Sequence, residues 1–194
     1  QACFIAGGAL TLTSCNDFLD REPLSSVTPE VYFQTVDHFA AYSIAKYQNY
    51  FSSHGGYGAG IANNDGGTDN MVAGGRSSRY VKGLWKVPSS DGNWSFSNIR
   101  YCNYFFENAV PKYEAGEVAG ADADIRHYIG EMHLMRALVY YNLLRNYGDF
   151  PIITEVLPDD KAVLMEKGVR QPRNLVARFI LKDLDDAASM MYSQ

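Results

Sequence analysis

Residues 122–151 read DADIRHYIGEMHLMRALVYYNLLRNYGDFP. Their apolar side chains recur every three or four residues, which predicts one long α-helix. Asp122 and Asp124 suit the positive N-terminal end of a helix. Gly148 favours a left-handed cap, and Pro151 prevents the helix from continuing. The apolar set is wide enough to be covered on most sides, and it consists of Ile125, Ile129, Met132, Met135, Val139, Tyr140, Leu143 and Leu144.

Three further segments have helical patterns. One follows Thr28-Pro29-Glu30, a typical helix start, and is predicted to run to about Phe51. Another begins near Trp94 and ends at Pro111, and the last begins at Pro172. The residues expected to face inward are Ile99, Cys102, Phe105 or Phe106 and Ala109 in the helix before Pro111, and Val176, Phe179, Ile180, Leu184, Ala187 and Met191 in the last. The residues of the last helix expected to face water are Lys182, Asp183, Asp185 and Asp186.

The segments between these helices have the composition of loops. Residues 54–75 are rich in glycine, asparagine and aspartate, and a loop of this length is uncommon unless it is functional or flexible. Hardly any segment has a convincing strand pattern. We therefore predict an all-α fold in which helix pairs and long loops form an α-α superhelical scaffold.

Composition limits the classes of partner. The chain has 194 residues, of which 46% are hydrophobic and 20% charged, so it can bury a core in one domain or at most two. Its net charge is -5. Nucleic acids and anionic membrane surfaces attract clustered Lys and Arg, so the charge argues against both as partners.

Cys15 ends an uncharged stretch, residues 1–14, and begins a polar one. The uncharged stretch is typical of a signal-peptide apolar region, and Leu12-Thr13-Ser14-Cys15 resembles a bacterial lipobox. We expect residues 1–14 to be a signal-peptide remnant, clipped at its start, and residues 15–27 to be a lipidated extended leader. The alternative is a short buried helix or strand.

Several strings together resemble one known family. They are Gly130-Glu131-Met132-His133-Leu134-Met135-Arg136-Ala137 with Tyr147-Gly148-Asp149-Phe150-Pro151, the Cys15-Asn16-Asp17-Phe18-Leu19-Asp20 start, Ile99-Arg100-Tyr101-Cys102-Asn103, and Lys182-Asp183-Leu184. In order and spacing they are similar to the SusD/RagB family of nutrient-binding lipoproteins from Bacteroidetes-type bacteria.

The resemblance implies a tetratricopeptide-like helical scaffold that caps a SusC-like TonB-dependent transporter. It implies a lipid-anchored, surface-exposed protein of the outer membrane that binds glycans and delivers them to that transporter without cleaving them. Members of the family are longer, so we expect residues 28–194 to be an N-terminal helical domain that lacks the C-terminal part of the fold. Two alternatives remain open, a lipoprotein glycoside hydrolase and a helical docking module without a ligand.

Candidate ligand residues cluster in and beside the loop before residue 95. Glycan binding needs flat aromatic faces and amide or carboxylate groups. Trp85, Asn93 and Trp94 supply such groups, and Asp69 in the glycine-rich loop could supply the polar side of the same site. The resemblance also implies ligand contacts from this loop, carried over by position to Trp85 and Asn93. Trp94 could equally be a packing aromatic at the helix start.

The charged residues of the long helix fit structural roles better than chemical ones. Glu131 and Arg136 lie among apolar neighbours, where a charge is tolerated only when paired. His127 and Glu131 stand one helical turn apart, but His133 falls on a different face, so a zinc site is not expected. Asp65 and Asp69 could supply oxygen ligands to calcium, but they lack the spacing of an EF-hand, so a calcium site is not expected there either. We therefore predict no metal, no cofactor and no catalytic residue.

Overall fold

The computed structural model describes residues 31–51, 82–83 and 95–192. These residues form seven helices and no strand: α1 (Val36–Ile44), α2 (Tyr47–Tyr50), α3 (Ser97–Asn108), α4 (Val110–Glu114), α5 (Asp122–Tyr147), α6 (Lys161–Lys167) and α7 (Arg173–Met190). The all-α prediction is confirmed for this part of the chain. None of the described helices combines the length and apolarity that a membrane span requires.

Helix α5 is the element on which α1, α2, α3 and α7 all pack. Its most extensive partner is α7, which runs antiparallel to it. The two backbones approach closely at Gly130, where an added Cβ would lie 2.8 Å from Cγ of Met191 and 3.1 Å from the carbonyl oxygen of Ala187. A side chain at this position would therefore force Met191 and the end of α7 to shift. The predicted apolar set of α5 is buried, apart from the partly exposed Leu144.

Two apolar clusters line opposite ends of α5. One is dominated by aromatic rings, with Phe105 of α3 packed edge-to-face against Phe33 and Phe39 at centroid distances of 5.5 and 5.2 Å. The other contains Tyr140 and Phe150 with aliphatic residues of α3 and α7. Cys102 is fully buried beside the first cluster, and burial raises the pKa of its thiol to about 12. It is the small buried residue that the helical pattern predicts.

The C-terminal end of α5 is as predicted. Gly148 has φ 71°, the left-handed value that favours glycine, and its N–H donates to the carbonyl of Leu144. The chain then turns back through Phe150, which forms an isolated antiparallel bridge with Gln171. Residues 151–157 continue without regular secondary structure along α3 and α5.

The prediction of one continuous first helix is wrong within the described residues. Helical structure starts only at α1, and α1 and α2 are separate. Phe33 has φ 43° and is buried, and the flanking backbone bonds elsewhere: Val36 N–H donates to Ala119 O, and Ala119 N–H donates to Gln34 O. These bridge bonds replace the helical ones. The proposed start at Thr28-Pro29-Glu30 lies outside the described residues.

Two short helices are missing from the sequence prediction. Pro111, expected to end a helix, instead lies in the first turn of α4, where its missing N–H is not needed. Helix α6 is capped by Asp160, whose carboxylate accepts from the N–H groups of Ala162 and Val163 at 2.9 and 3.0 Å.

The inward face of α7 is only partly as predicted. Val176, Ile180 and Ala187 are buried, whereas Leu184 is exposed. The most consequential error of the prediction concerns Asp183, which was expected to face water but is 1% exposed. It lies in the core because Arg136 on α5 neutralises it, a pairing that helical periodicity on one segment cannot show.

Candidate binding cleft

The binding and anchoring residues predicted from sequence all lie outside the described part of the chain. They are Cys15, Asp69, Trp85, Asn93 and Trp94. The signal remnant, residues 1–14, and the leader, residues 15–27, lie outside it as well. These predictions therefore stay predictions.

The described residues form a cleft of about 400 Å³ between three elements. The start of α3 contributes Phe96, Ile99 and Arg100, the non-helical segment after α5 contributes Ile153, Glu155 and Leu157, and α6 with its C-cap contributes Leu164 and Gly168. The volume lies within the range of about 300–1,000 Å³ that is typical of small-molecule sites. Most of the lining is apolar.

Side chains, rather than backbone pairing, hold the non-helical wall of the cleft. Asn103 Nδ2 donates to the carbonyls of Ile153 and Glu155, at 2.9 and 3.1 Å. The hydroxyl of Tyr140 accepts from Ile153 N–H at 2.8 Å and donates to Ile153 O at 3.1 Å. The Ile153 amide and the carbonyls of Ile153 and Glu155 therefore have partners without belonging to a helix or sheet.

Two charged side chains lie among the lining residues. The Arg100 guanidinium donates from Nη1 to the carbonyl of Leu157 at 2.7 Å. Glu155 forms an ion pair with Lys167 at 2.7 Å, and both of these side chains are about half exposed. The hydrogen bond and the charge of Glu155 raise the pKa of Lys167, so the ammonium group of Lys167 stays charged at neutral pH.

Behind the cleft lies a buried polar network centred on Arg136. Its guanidinium donates from Nε and Nη2 to both carboxylate oxygens of Asp183, at 2.8 and 2.7 Å, and from Nη1 to Asn103 Oδ1 at 3.0 Å. His133 Nδ1 lies 2.9 Å from Asp183 Oδ1. Burial alone would raise the pKa of Asp183, but the hydrogen bonds and charges of Arg136 and His133 outweigh it and lower the pKa.

The Arg136 guanidinium also lies over two aromatic rings. Its carbon is 4.4 Å from the centroid of Phe106 and 5.2 Å from that of Phe179. The contacts join α3, α5 and α7 through one side chain. The structural role predicted for Arg136 is therefore confirmed.

Glu131 links the other side of α5 to α1 and α2. Its carboxylate accepts from Ser43 Oγ at 2.5 Å and from the Tyr47 hydroxyl at 2.6 Å, and its other oxygen lies 3.2 Å from His127 Nε2. Burial, together with the hydrogen bond to Glu131, raises the pKa of Tyr47 to about 12. Glu131 thus has the predicted structural role.

The histidines of α5 are directed to different partners. His127 contacts Glu131, whereas His133 contacts Asp183. Ligand atoms of His133, Asp183 and Asp186 lie within 4.8 Å of one another. Both oxygens of Asp183 already accept from Arg136, however, and a guanidinium this close opposes a second cation. His133 and Asp183 belong to the buried network, whereas the partly exposed Asp186 pairs with Lys182.

The described chain is thus an α-helical protein with a small, mainly apolar cleft. No family profile matches the sequence, and no curated protein matches it. Among solved structures it is similar to a crystal structure of a SusD-like protein from Bacteroides fragilis, at 27% identity and a TM-score of 0.39. That match covers 50% of this chain and 18% of the other.

None of the described cleft-lining residues was predicted from sequence to contact a ligand. Arg100 lies in the predicted helix before Pro111 and has no binding motif around it, and residues 153–157 carry no periodic pattern. One signal was available, because Asp160 followed by seven non-glycine, non-proline residues and then Gly168 is a capped short helix.

Proposed function

We propose that this chain belongs to a cell-surface lipoprotein that binds a glycan and passes it to a TonB-dependent transporter in the outer membrane. The observation that carries the proposal is the string of residues 130–151, whose resemblance to the SusD/RagB signature motivates it. The structure agrees with a scaffold role for this string, since its residues form the helix on which the other long helices pack. In this proposal, loop side chains determine which glycan is bound.

In this proposal the charged side chains of the signature hold the scaffold together and take no part in a chemical reaction. Glu131 and Arg136 are engaged with neighbouring helices. Ligand recognition is left to loops attached to a rigid helical frame, an arrangement common in binding proteins. On this hypothesis a bound glycan is held and released intact.

Replacing Trp85 by alanine should abolish glycan binding with little change in thermal stability. The reason is that an indole face covers sugar C–H groups that alanine cannot reach. Isothermal titration calorimetry of the full chain against plant, host and microbial glycans would first identify a ligand, and the variant would then be titrated with it. Trp85→Phe is the matched control and should keep part of the affinity.

Unchanged affinity in the Trp85→Ala variant would move the glycan site elsewhere. Absence of binding to every glycan in the panel would contradict the proposal that the ligand is a glycan. Release of reducing ends from a bound glycan would contradict a purely binding role and favour a hydrolase.

Replacing Cys15 by alanine should move the mature protein from the membrane fraction to the soluble fraction. A lipidated cysteine with two or more acyl chains holds a protein stably, because each buried methylene contributes roughly 0.8 kcal/mol. Fractionation of expressing cells, followed by immunoblotting, measures this. Cys3→Ala is the control and should remain membrane-bound. Membrane retention of the Cys15→Ala variant would contradict the anchor.

A further inference from the structure

Arg100 carries a charge that no described residue compensates. It lines the cleft and is exposed, and its contact with the Leu157 carbonyl satisfies one N–H group without neutralising the guanidinium. Within the described residues, no carboxylate lies within ion-pair distance of it. Its remaining N–H groups form a planar fork that matches a carboxylate.

The acidic residue in the lining does not cancel this charge. Glu155 is engaged by Lys167 at 2.7 Å, so its repulsion of an incoming anion is reduced. Among the described lining residues, Arg100 is therefore the charged side chain without an ion-pair partner. A ligand with one negative group would be oriented by it.

The remainder of the lining selects against strongly hydrated ligands. Ile99, Ile153 and Leu164 present hydrocarbon, and the backbone carbonyls of the wall already accept from Asn103 and Tyr140. A polyhydroxylated molecule would lose its hydrogen bonds to water here with few replacements. An apolar molecular body would lose none.

We propose that this cleft binds a molecule with an apolar body and one carboxylate, such as a medium-chain alkyl carboxylate. The hydrocarbon lies against Ile99, Ile153 and Leu164, and the carboxylate lies against the free N–H groups of Arg100. The described lining of this site contains none of the residues proposed to contact glycans. This site goes beyond the proposed function and does not depend on it.

Isothermal titration calorimetry with octanoate, decanoate and decanol, each below micelle formation, tests the proposal on the full chain. Decanoate should bind saturably at one site. Its affinity should exceed that of octanoate by roughly tenfold or more, because each buried methylene contributes about fourfold. Decanol, which has the same chain without the charge, should bind more weakly than decanoate.

Arg100→Gln should weaken decanoate binding about three- to tenfold and leave decanol binding unchanged, because only the charged contact is lost. Arg178→Gln removes another exposed arginine, on α7 and outside the described cleft lining, and should alter neither affinity. Leu164→Glu, at a position 43% exposed, should abolish binding of both probes by placing a charge against the hydrocarbon. Circular dichroism would confirm that each variant is folded.

Three results would overturn the proposal. One is the absence of saturable decanoate binding, and another is equal affinity of decanoate and decanol for the unmodified chain. The third is that Arg100→Gln and Arg178→Gln behave alike. Failure to bind any glycan would leave this site unaffected.

Discussion

Replacing Arg136 by methionine should lower the free energy of unfolding by about 3–5 kcal/mol, the usual loss when one partner of a buried ion pair is removed. Asp183 would be left as a buried carboxylate without its bidentate partner, and Asn103 Oδ1 would lose its donor. Urea unfolding followed by circular dichroism measures the change. Arg178→Met, at an exposed position of the same residue type, should change stability by less than about 0.5 kcal/mol.

The double variant Arg136→Met with Asp183→Leu separates pairing from packing. Because both charges are removed, it should lose much less stability than Arg136→Met alone. A pH series adds a second readout. The lowered pKa of Asp183 means that its stabilising contribution is present above the ordinary carboxyl pKa and is lost as pH falls through the lowered one. Arg136→Met should remove this acid-side loss. A single variant as stable as the unmodified chain would contradict the network's role.

Replacing Phe105 by alanine should lower the free energy of unfolding by about 3–5 kcal/mol. The ring is fully buried and contacts Phe33 and Phe39 edge-to-face, so its removal loses hydrophobic burial and leaves a cavity. For a chain of this size the melting temperature should fall by about 6–20 °C. Differential scanning calorimetry measures the shift.

Two variants control the Phe105 experiment. Phe105→Leu keeps much of the volume and should lose less than the alanine variant. Phe51→Ala removes a ring that is 46% exposed and should cost less than about 1 kcal/mol. If Phe51→Ala and Phe105→Ala were equally destabilising, the aromatic cluster would not be the core that the burial pattern indicates.

The long helices were predictable because their signals are local. Helix α5 begins at the acidic Asp122 and ends just before Gly148, as its sequence predicts. Helix α7 begins directly after Pro172. In both helices most inward positions follow the helical period. The same periodic reasoning failed before Val36, where Phe33 takes a positive φ and the backbone pairs with Ala119, a partner more than eighty residues away.

The cleft could not be predicted because its parts come from segments that are distant in sequence. Arg100 is placed by its bond to Leu157, and residues 153–155 are placed by Asn103 and Tyr140. Each of these contacts joins a helix to a segment with no pattern of its own. Asp183 shows the same limit, since an aspartate on a helix reads as solvent-facing until its arginine partner is known.

The attachment of the cleft wall to the core also sets how that wall moves. Asn103 accepts a hydrogen bond from the buried Arg136 and donates to the carbonyls of Ile153 and Glu155. The wall is therefore hydrogen-bonded to the core through a side chain that Arg136 holds in place. Segments without secondary structure usually fluctuate within nanoseconds to microseconds. Here the Ile153 amide is released only when its bond to Tyr140 opens, so the wall should fluctuate together with the helical interior.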